Sequence, residues 1–110
     1  MPKTVLVTGA SSGLGAEYAR RLAARGADVV LVGRDRAALD AVAAEIRDRY
    51  RVQAETLVAD LTKPRQRAKV EARLTDSERP IEVLVNNAGF GLPLAFERND
   101  IDDEARHLEL

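Results

Sequence analysis

Apolar and polar positions fall into short blocks that predict a repeating order of elements. Thr4-Val5-Leu6-Val7-Thr8 is dominated by β-branched residues and is apolar between its threonines, which predicts a strand buried on both faces. Gly9, Gly13 and Gly15 follow at G-x-x-x-G-x-G spacing. From there alanines, arginines and Leu22 recur with helical period through Arg25, and Gly26 supplies a stop. Residues 28–32 predict a second strand. Asp35 is expected to cap an alanine-rich helix over 36–49, with Leu39, Val42, Ala43 and Ile46 on one face and charges on the other.

A third strand is expected over 54–59, followed by Asp60-Leu61-Thr62 and a helix opening near Pro64, since proline is tolerated in a first turn. Val70 and Leu74 form that helix's apolar face. Pro80 ends the connection, and residues 81–85 predict a fourth strand running into Asn86-Asn87-Ala88-Gly89. The order is βαβαβαβ, which implies an α/β fold with a parallel sheet, right-handed crossovers and helices on both faces. From Phe90 the pattern loosens into a loop with Gly91 and Pro93. An acidic stretch over 97–109 then carries Ile101, Ala105 and Leu108 at helical spacing, predicting a last helix.

Composition narrows the picture modestly. At 110 residues the chain is expected to form one domain over 1–110. A net charge of −1 and 32% charged residues give no reason to expect a nucleic acid or an anionic membrane as partner. The absence of cysteine leaves no thiolate metal site and is compatible with a reducing compartment. No apolar run has the length of a signal core or a membrane span, so a cytoplasmic location is the expectation.

The chemistry lies in the first glycine turn. Glycines between a buried strand and a helix expose backbone N–H groups at the positive end of the helix dipole, which suits a phosphate. A rival reading is available, because Gly9-Ala10-Ser11-Ser12-Gly13 is a literal G-x-S-x-G, the pattern of a hydrolase nucleophile elbow, and Ser11, Asp60 and His107 occur in triad order. Such an elbow normally follows earlier strands that furnish its oxyanion hole, and only Met1, Pro2 and Lys3 precede the strand here. The hydrolase reading is therefore set aside, and His107 is read as a solvated residue.

With Thr8-Gly9-Ala10-Ser11-Ser12-Gly13-Leu14-Gly15 and Asn86-Asn87-Ala88-Gly89 both in view, the sequence resembles the short-chain dehydrogenase/reductase family. The first stretch is similar to that family's T-G-x-x-x-G-x-G cofactor turn and the second to its N-N-A-G. The resemblance runs from Lys3 to about Leu110. It implies a Rossmann-like sheet of strand order 3-2-1-4 and a nicotinamide dinucleotide as partner. Gly9 would permit the tight turn, Gly13 would let backbone approach the pyrophosphate, and Gly15 would let the helix pack close to the sheet. Ser11, Ser12 and Leu14 fall within the same turn, the serines as phosphate or ribose contacts. Asp60 would accept a hydrogen bond from the adenine amino group with the backbone of Leu61 alongside; its alternative role is to cap the helix after Thr62. Asn86 and Ala88 would lie near the adenine ribose, Gly89 would admit the cofactor, and Asn87 would tie adjacent strands.

Acidic residues at the end of the second strand favour NAD by bonding the ribose 2′-hydroxyl, whereas a 2′-phosphate needs a cation. The position where the resemblance expects Asp is Gly33, and Arg34 follows it, so NADP(H) is expected over NAD(H). Asp35 stands at the offset of a ribose-binding acid, but is read as the helix cap. The family's catalytic tyrosine precedes its lysine by four residues. Here Tyr18 is followed at that place by Leu22, and Tyr50 by Ala54. The resemblance thus implies the cofactor-binding portion of an oxidoreductase that transfers hydride between nicotinamide and an alcohol or carbonyl, truncated before the catalytic half. That portion would be inactive alone and would meet a second copy or a complementary half along residues 81–87. The alternative is a free-standing nucleotide-binding or interaction module.

Overall fold

In three of the four described strands neighbouring residues divide between two cores, which is why those strands are apolar on both faces. The computed structural model describes residues 3–11 and 13–87. The elements are β1 (Thr4–Thr8), α1 (Gly13–Ala24), β2 (Asp28–Gly33), α2 (Arg36–Tyr50), β3 (Ala54–Val58), α3 (Pro64–Leu74) and β4 (Val83–Val85). All strand pairs are parallel, in the order β3-β2-β1-β4, so the expected sheet is the one formed. The last predicted helix, within 97–109, lies outside the described residues.

Val5, Val7, Val29, Leu31, Val83 and Val85 face one core, which α1 and α2 close with Ala16, Ala19, Leu22, Leu39, Ala43 and Ile46. Leu6, Val30, Val32 and Leu84 face the other, which α3 covers with Val70 and Leu74. Helices therefore lie on both faces, as right-handed crossovers require where the strand order reverses between β3 and β4. Leu6 and Leu39 are fully buried, and truncating either costs roughly 2–5 kcal/mol.

Two boundaries differ from the sequence pattern. The fourth strand pairs only over Val83–Val85, although its approach is already bonded to the sheet: the Glu82 N–H donates to the Thr4 carbonyl and the Thr4 N–H to Glu82 Oε2. Ile81, expected in the strand, instead fills the second core. Helix α2 ends at Arg51, which adopts the left-handed conformation (φ 58°) and sends its N–H to the Arg47 carbonyl, a termination that no glycine announces. Among the described residues no helix is long and apolar enough to cross a membrane.

The register is what creates a site. Thr8 lies opposite Val32, Val32 opposite Leu57, and Val7 opposite Val85. Parallel strands in this register end together, so Gly9, Gly33-Arg34, Ala59-Asp60 and Asn86 emerge from four neighbouring strands along one edge of the sheet.

Candidate functional site

The turn after β1 reverses the chain through Gly9 (φ 63°) and Gly13 (φ 60°). Both torsions strain any residue with a Cβ. At Gly13 only the torsion demands glycine, since an added Cβ would meet nothing within 4 Å. At Gly15 the demand is space: an added Cβ would lie 2.0 Å from the Gly9 carbonyl oxygen. The first turn of α1 is thereby pressed against the end of β1. The Ala10 N–H donates to the Val32 carbonyl at 2.9 Å, fastening the turn to β2 as well.

The first N–H groups of α1 have no intrahelical acceptors and carry the positive end of the helix dipole. No acidic residue occupies that first turn, so no carboxylate competes with an incoming anion. Leu14, in the same turn, is 57% exposed, an uncommon position for a large apolar side chain. Ser11 is half-buried and faces Gly33; Ser12 lies outside the described residues.

Beside the turn, β2 ends at Gly33, whose carbonyl accepts from the Ala59 N–H at 2.9 Å. Arg34 is exposed immediately beyond it. Asp35 caps α2 as expected, its Oδ1 accepting from the Ala38 N–H at 3.1 Å with extended backbone at the cap.

Asp60 leaves β3 half-buried, and its Oδ1 accepts from both the Thr62 hydroxyl (2.6 Å) and the Thr62 N–H (3.0 Å). Those two bonds, the hydroxyl first, hold its carboxyl below the ordinary range, with Arg34 and Lys63 adding positive charge. The N-cap position of α3 is Lys63. Asp60 therefore shapes the turn ahead of the helix and is not its cap, because it sits three residues too early. The Asp60 N–H donates to Gln66 Oε1 at 2.6 Å, a contact missed in the sequence. Its signal was an amide side chain at the third position of a helix, where such groups reach back toward the chain that enters it. Leu61 is buried in the second core, so only its backbone can face the site.

Past β4, the Thr8 hydroxyl donates to Asn86 Oδ1 at 3.0 Å. Thr8 is fully buried. The tie between the ends of β1 and β4, expected of Asn87, thus runs through Asn86, because Asn86 is the residue that emerges opposite Thr8. Asn87 instead stands with its amide nitrogen 3.0 Å from where a Gly15 Cβ would be. Ala88 and Gly89 lie outside the described residues, as does His107. Among the described residues no group of three or more His, Cys, Asp or Glu side chains could hold a metal ion.

A concavity of about 330 Å³ lies at the opposite end of the strands, between Thr4, Asp28, Gln53 and Glu82. Arg73 and Arg79 border it. The 8% exposed Arg73 makes two bonds to Glu55 (2.9 and 3.2 Å) and donates to the Arg79 carbonyl at 2.5 Å. These groups satisfy one another and staple α3 to the border strand β3. The glycine turn, Gly33, Arg34, Asp60 and Asn86 share the other end, where the dipole and the exposed cation also lie.

The family model described as short chain dehydrogenase matches residues 3–108. The chain is similar to the very-long-chain 3-oxoacyl-CoA reductase of Meyerozyma guilliermondii, 38% identical over 108 residues, covering 96% of this chain and 31% of the relative. Among solved structures it is similar to a short-chain dehydrogenase from Sphingobium yanoikuyae in complex with NADPH, with 56% identity, a TM-score of 0.75 and coverage of 83% of this chain and 35% of that one. The L-sorbose reductase of Gluconobacter frateurii complexed with NADPH and L-sorbose is 32% identical, with a TM-score of 0.73 and coverage of 82% and 34%. The chain spans about a third of the length of these relatives.

Proposed function

The chain belongs to the short-chain dehydrogenase family, and from that premise we propose that it is the dinucleotide-binding portion of an oxidoreductase that takes NADP(H) in preference to NAD(H). The observation that carries this reading is the end of β2, where a buried glycine and the exposed Arg34 stand beside a glycine turn and a helix N-terminus free of acids. A 2′-phosphate there meets the Arg34 cation, while the Asp35 side chain beside it is engaged as the cap of α2. Two similar structures, from Sphingobium yanoikuyae and Gluconobacter frateurii, hold NADPH, which supports the same choice.

Each residue then has a task. Gly9, Gly13 and Gly15 shape the turn that brings the N–H groups of α1 to the pyrophosphate, with Ser11, Ser12 and Leu14 along it. Arg34 takes the 2′-phosphate. Asp60, held ionised by Thr62, accepts from the adenine amino group, with the Leu61 backbone beside it. Asn86, Ala88 and Gly89 border the adenosine ribose. The bound nicotinamide supplies hydride transfer to or from an alcohol or carbonyl substrate in the whole enzyme. These 110 residues contain no Tyr-x-x-x-Lys to move the accompanying proton, so the proposal for this chain concerns binding.

Calorimetric titration with NADP(H) and NAD(H) tests it. NADP(H) binds more tightly, and Arg34→Ala removes roughly 1–3 kcal/mol of that preference, the range for hydrogen bonds to charged groups. Equal or tighter binding of NAD(H) by the unaltered chain contradicts the reading.

A further inference from the structure

Gly33 is buried and has no positive φ, so its backbone does not call for glycine. What calls for it is space. An added Cβ would stand 3.1 Å from Ser11 Oγ, 3.2 Å from Ser11 Cβ and 3.2 Å from Leu39 Cδ2. Contacts that short require a neighbour to give way by a few tenths of an ångström, and each candidate is held. The residue before Ser11 is fastened to β2 through the Ala10 N–H on the Val32 carbonyl. Gly33 itself is fastened to the next strand through the Ala59 N–H on its carbonyl. Leu39 is fully buried in the first core. Rotating the Ser11 hydroxyl relieves the Oγ contact but leaves that of Cβ.

The geometry points to Ser11 as a residue that decides cofactor class, by holding position 33 to glycine. A carboxylate at the end of β2 is what would recognise a bare ribose 2′-hydroxyl. With Ser11 in the turn, no side chain enters at 33 without displacing it. The neighbouring acid, Asp35, is committed to the Ala38 N–H. At the end of β2 itself, Arg34 is then the side chain left to meet the adenosine, and it suits a 2′-phosphate. This inference rests on the reading that the turn takes a nicotinamide dinucleotide, and it adds that Ser11 and Gly33 are coupled: changing position 33 alone does not convert the site.

The test is a set of variants of the 110-residue chain: Ser11→Gly, Gly33→Ala and Gly33→Asp, alone and with Ser11→Gly added to each change at 33. Thermal melts read the packing. Gly33→Ala lowers Tm by roughly 5 °C or more when Ser11 is present, the scale of overpacking in a domain of this size, and by less than half as much alongside Ser11→Gly. Titration with ADP-ribose and 2′-phospho-ADP-ribose reads the class. Gly33→Asp with Ser11→Gly moves the ratio of the two affinities toward ADP-ribose by about tenfold or more relative to Ser11→Gly alone. An equal Tm loss from Gly33→Ala in both backgrounds overturns the coupling. So does Gly33→Asp alone if it keeps the parental Tm and takes ADP-ribose in preference. Should Gly33→Asp fail to fold, the alanine melts still decide. Should the unaltered chain bind neither nucleotide while the melts remain coupled, the dinucleotide reading fails, and the role of Ser11 in cofactor choice falls with it, leaving only the packing.

Discussion

A Cβ on Gly15 would lie 2.0 Å from the carbonyl oxygen of Gly9 and 2.6 Å from its carbonyl carbon. Both atoms are backbone, so no rotamer change relieves them, and α1 would have to back away from the end of β1. Gly15→Ala is therefore expected to destabilise the chain by about 3 kcal/mol or more, at or above the top of the usual overpacking range. Chemical denaturation measures this. A loss under about 1 kcal/mol would mean that the turn is not packed as described.

Asp35→Ala separates the two roles open to that acid. As the cap of α2 it is expected to contribute about 1 kcal/mol of stability and to leave the ratio of NADP(H) to NAD(H) affinities unchanged. Denaturation and paired titrations of the same variant decide. An unchanged stability with a large fall in NAD(H) affinity would make Asp35 a ribose ligand.

Arg73→Met keeps most of the buried stem of Arg73 and removes its bonds to Glu55 and the Arg79 carbonyl. Glu55 remains about a third exposed, so water takes over part of its solvation and the expected loss is about 2 kcal/mol, below that of breaking a fully buried pair. Cofactor affinity should not change, because this network stands at the opposite end of the strands. Equilibrium unfolding and one titration check both halves.

Acid should weaken the fold through three carboxyls held below their ordinary range. The chief cause is the Arg21 hydrogen bond at Glu17, the Thr62 hydroxyl at Asp60 and the Glu78 N–H at Asp76. Each folded group holds its proton less tightly than its unfolded counterpart, which titrates near pH 4. Their contribution is complete above that pH and is lost as pH falls toward the lower, folded values. All three are solvated, so the loss is modest. Urea midpoints that decline between about pH 5 and pH 3 fit this account. Thr62→Val should shrink the Asp60 share, and a midpoint that rises in acid would contradict it.

Much of this was legible in the pattern of residues, for physical reasons. Runs such as Thr4–Thr8 and 28–32 are apolar on consecutive positions because both faces of the strand are covered, and the two cores divide them residue by residue. Gly15 and Asp35 act within a few residues of their own positions, so their neighbours in sequence announce them. Arg73 was not legible: a charged residue in a charged helix gives no sign that Glu55, eighteen residues away, will bury it. Arg51 takes a left-handed torsion that its side chain does not favour. Gln66, Thr8 and the contact of Gly33 with Ser11 depend on which strand ends adjoin, and adjacency is a property of the sheet. Glycine at 33 could be noticed only as a missing acid, whereas its packing gives the reason.

On the proposed function, the ends of β1, β2, β3 and β4 form the cofactor's adenosine half-site. Backbone amide spectra of the isotopically labelled chain, recorded while 2′-phospho-ADP-ribose is added, test it most directly. The shifted resonances are expected to gather at Gly9 to Gly15, Gly33 to Asp35, Ala59 to Thr62 and Asn86, with smaller changes when ADP-ribose is used at the same concentration. Shifts gathered instead around Thr4, Asp28, Gln53 and Glu82, or no saturable shift from either nucleotide, would contradict it.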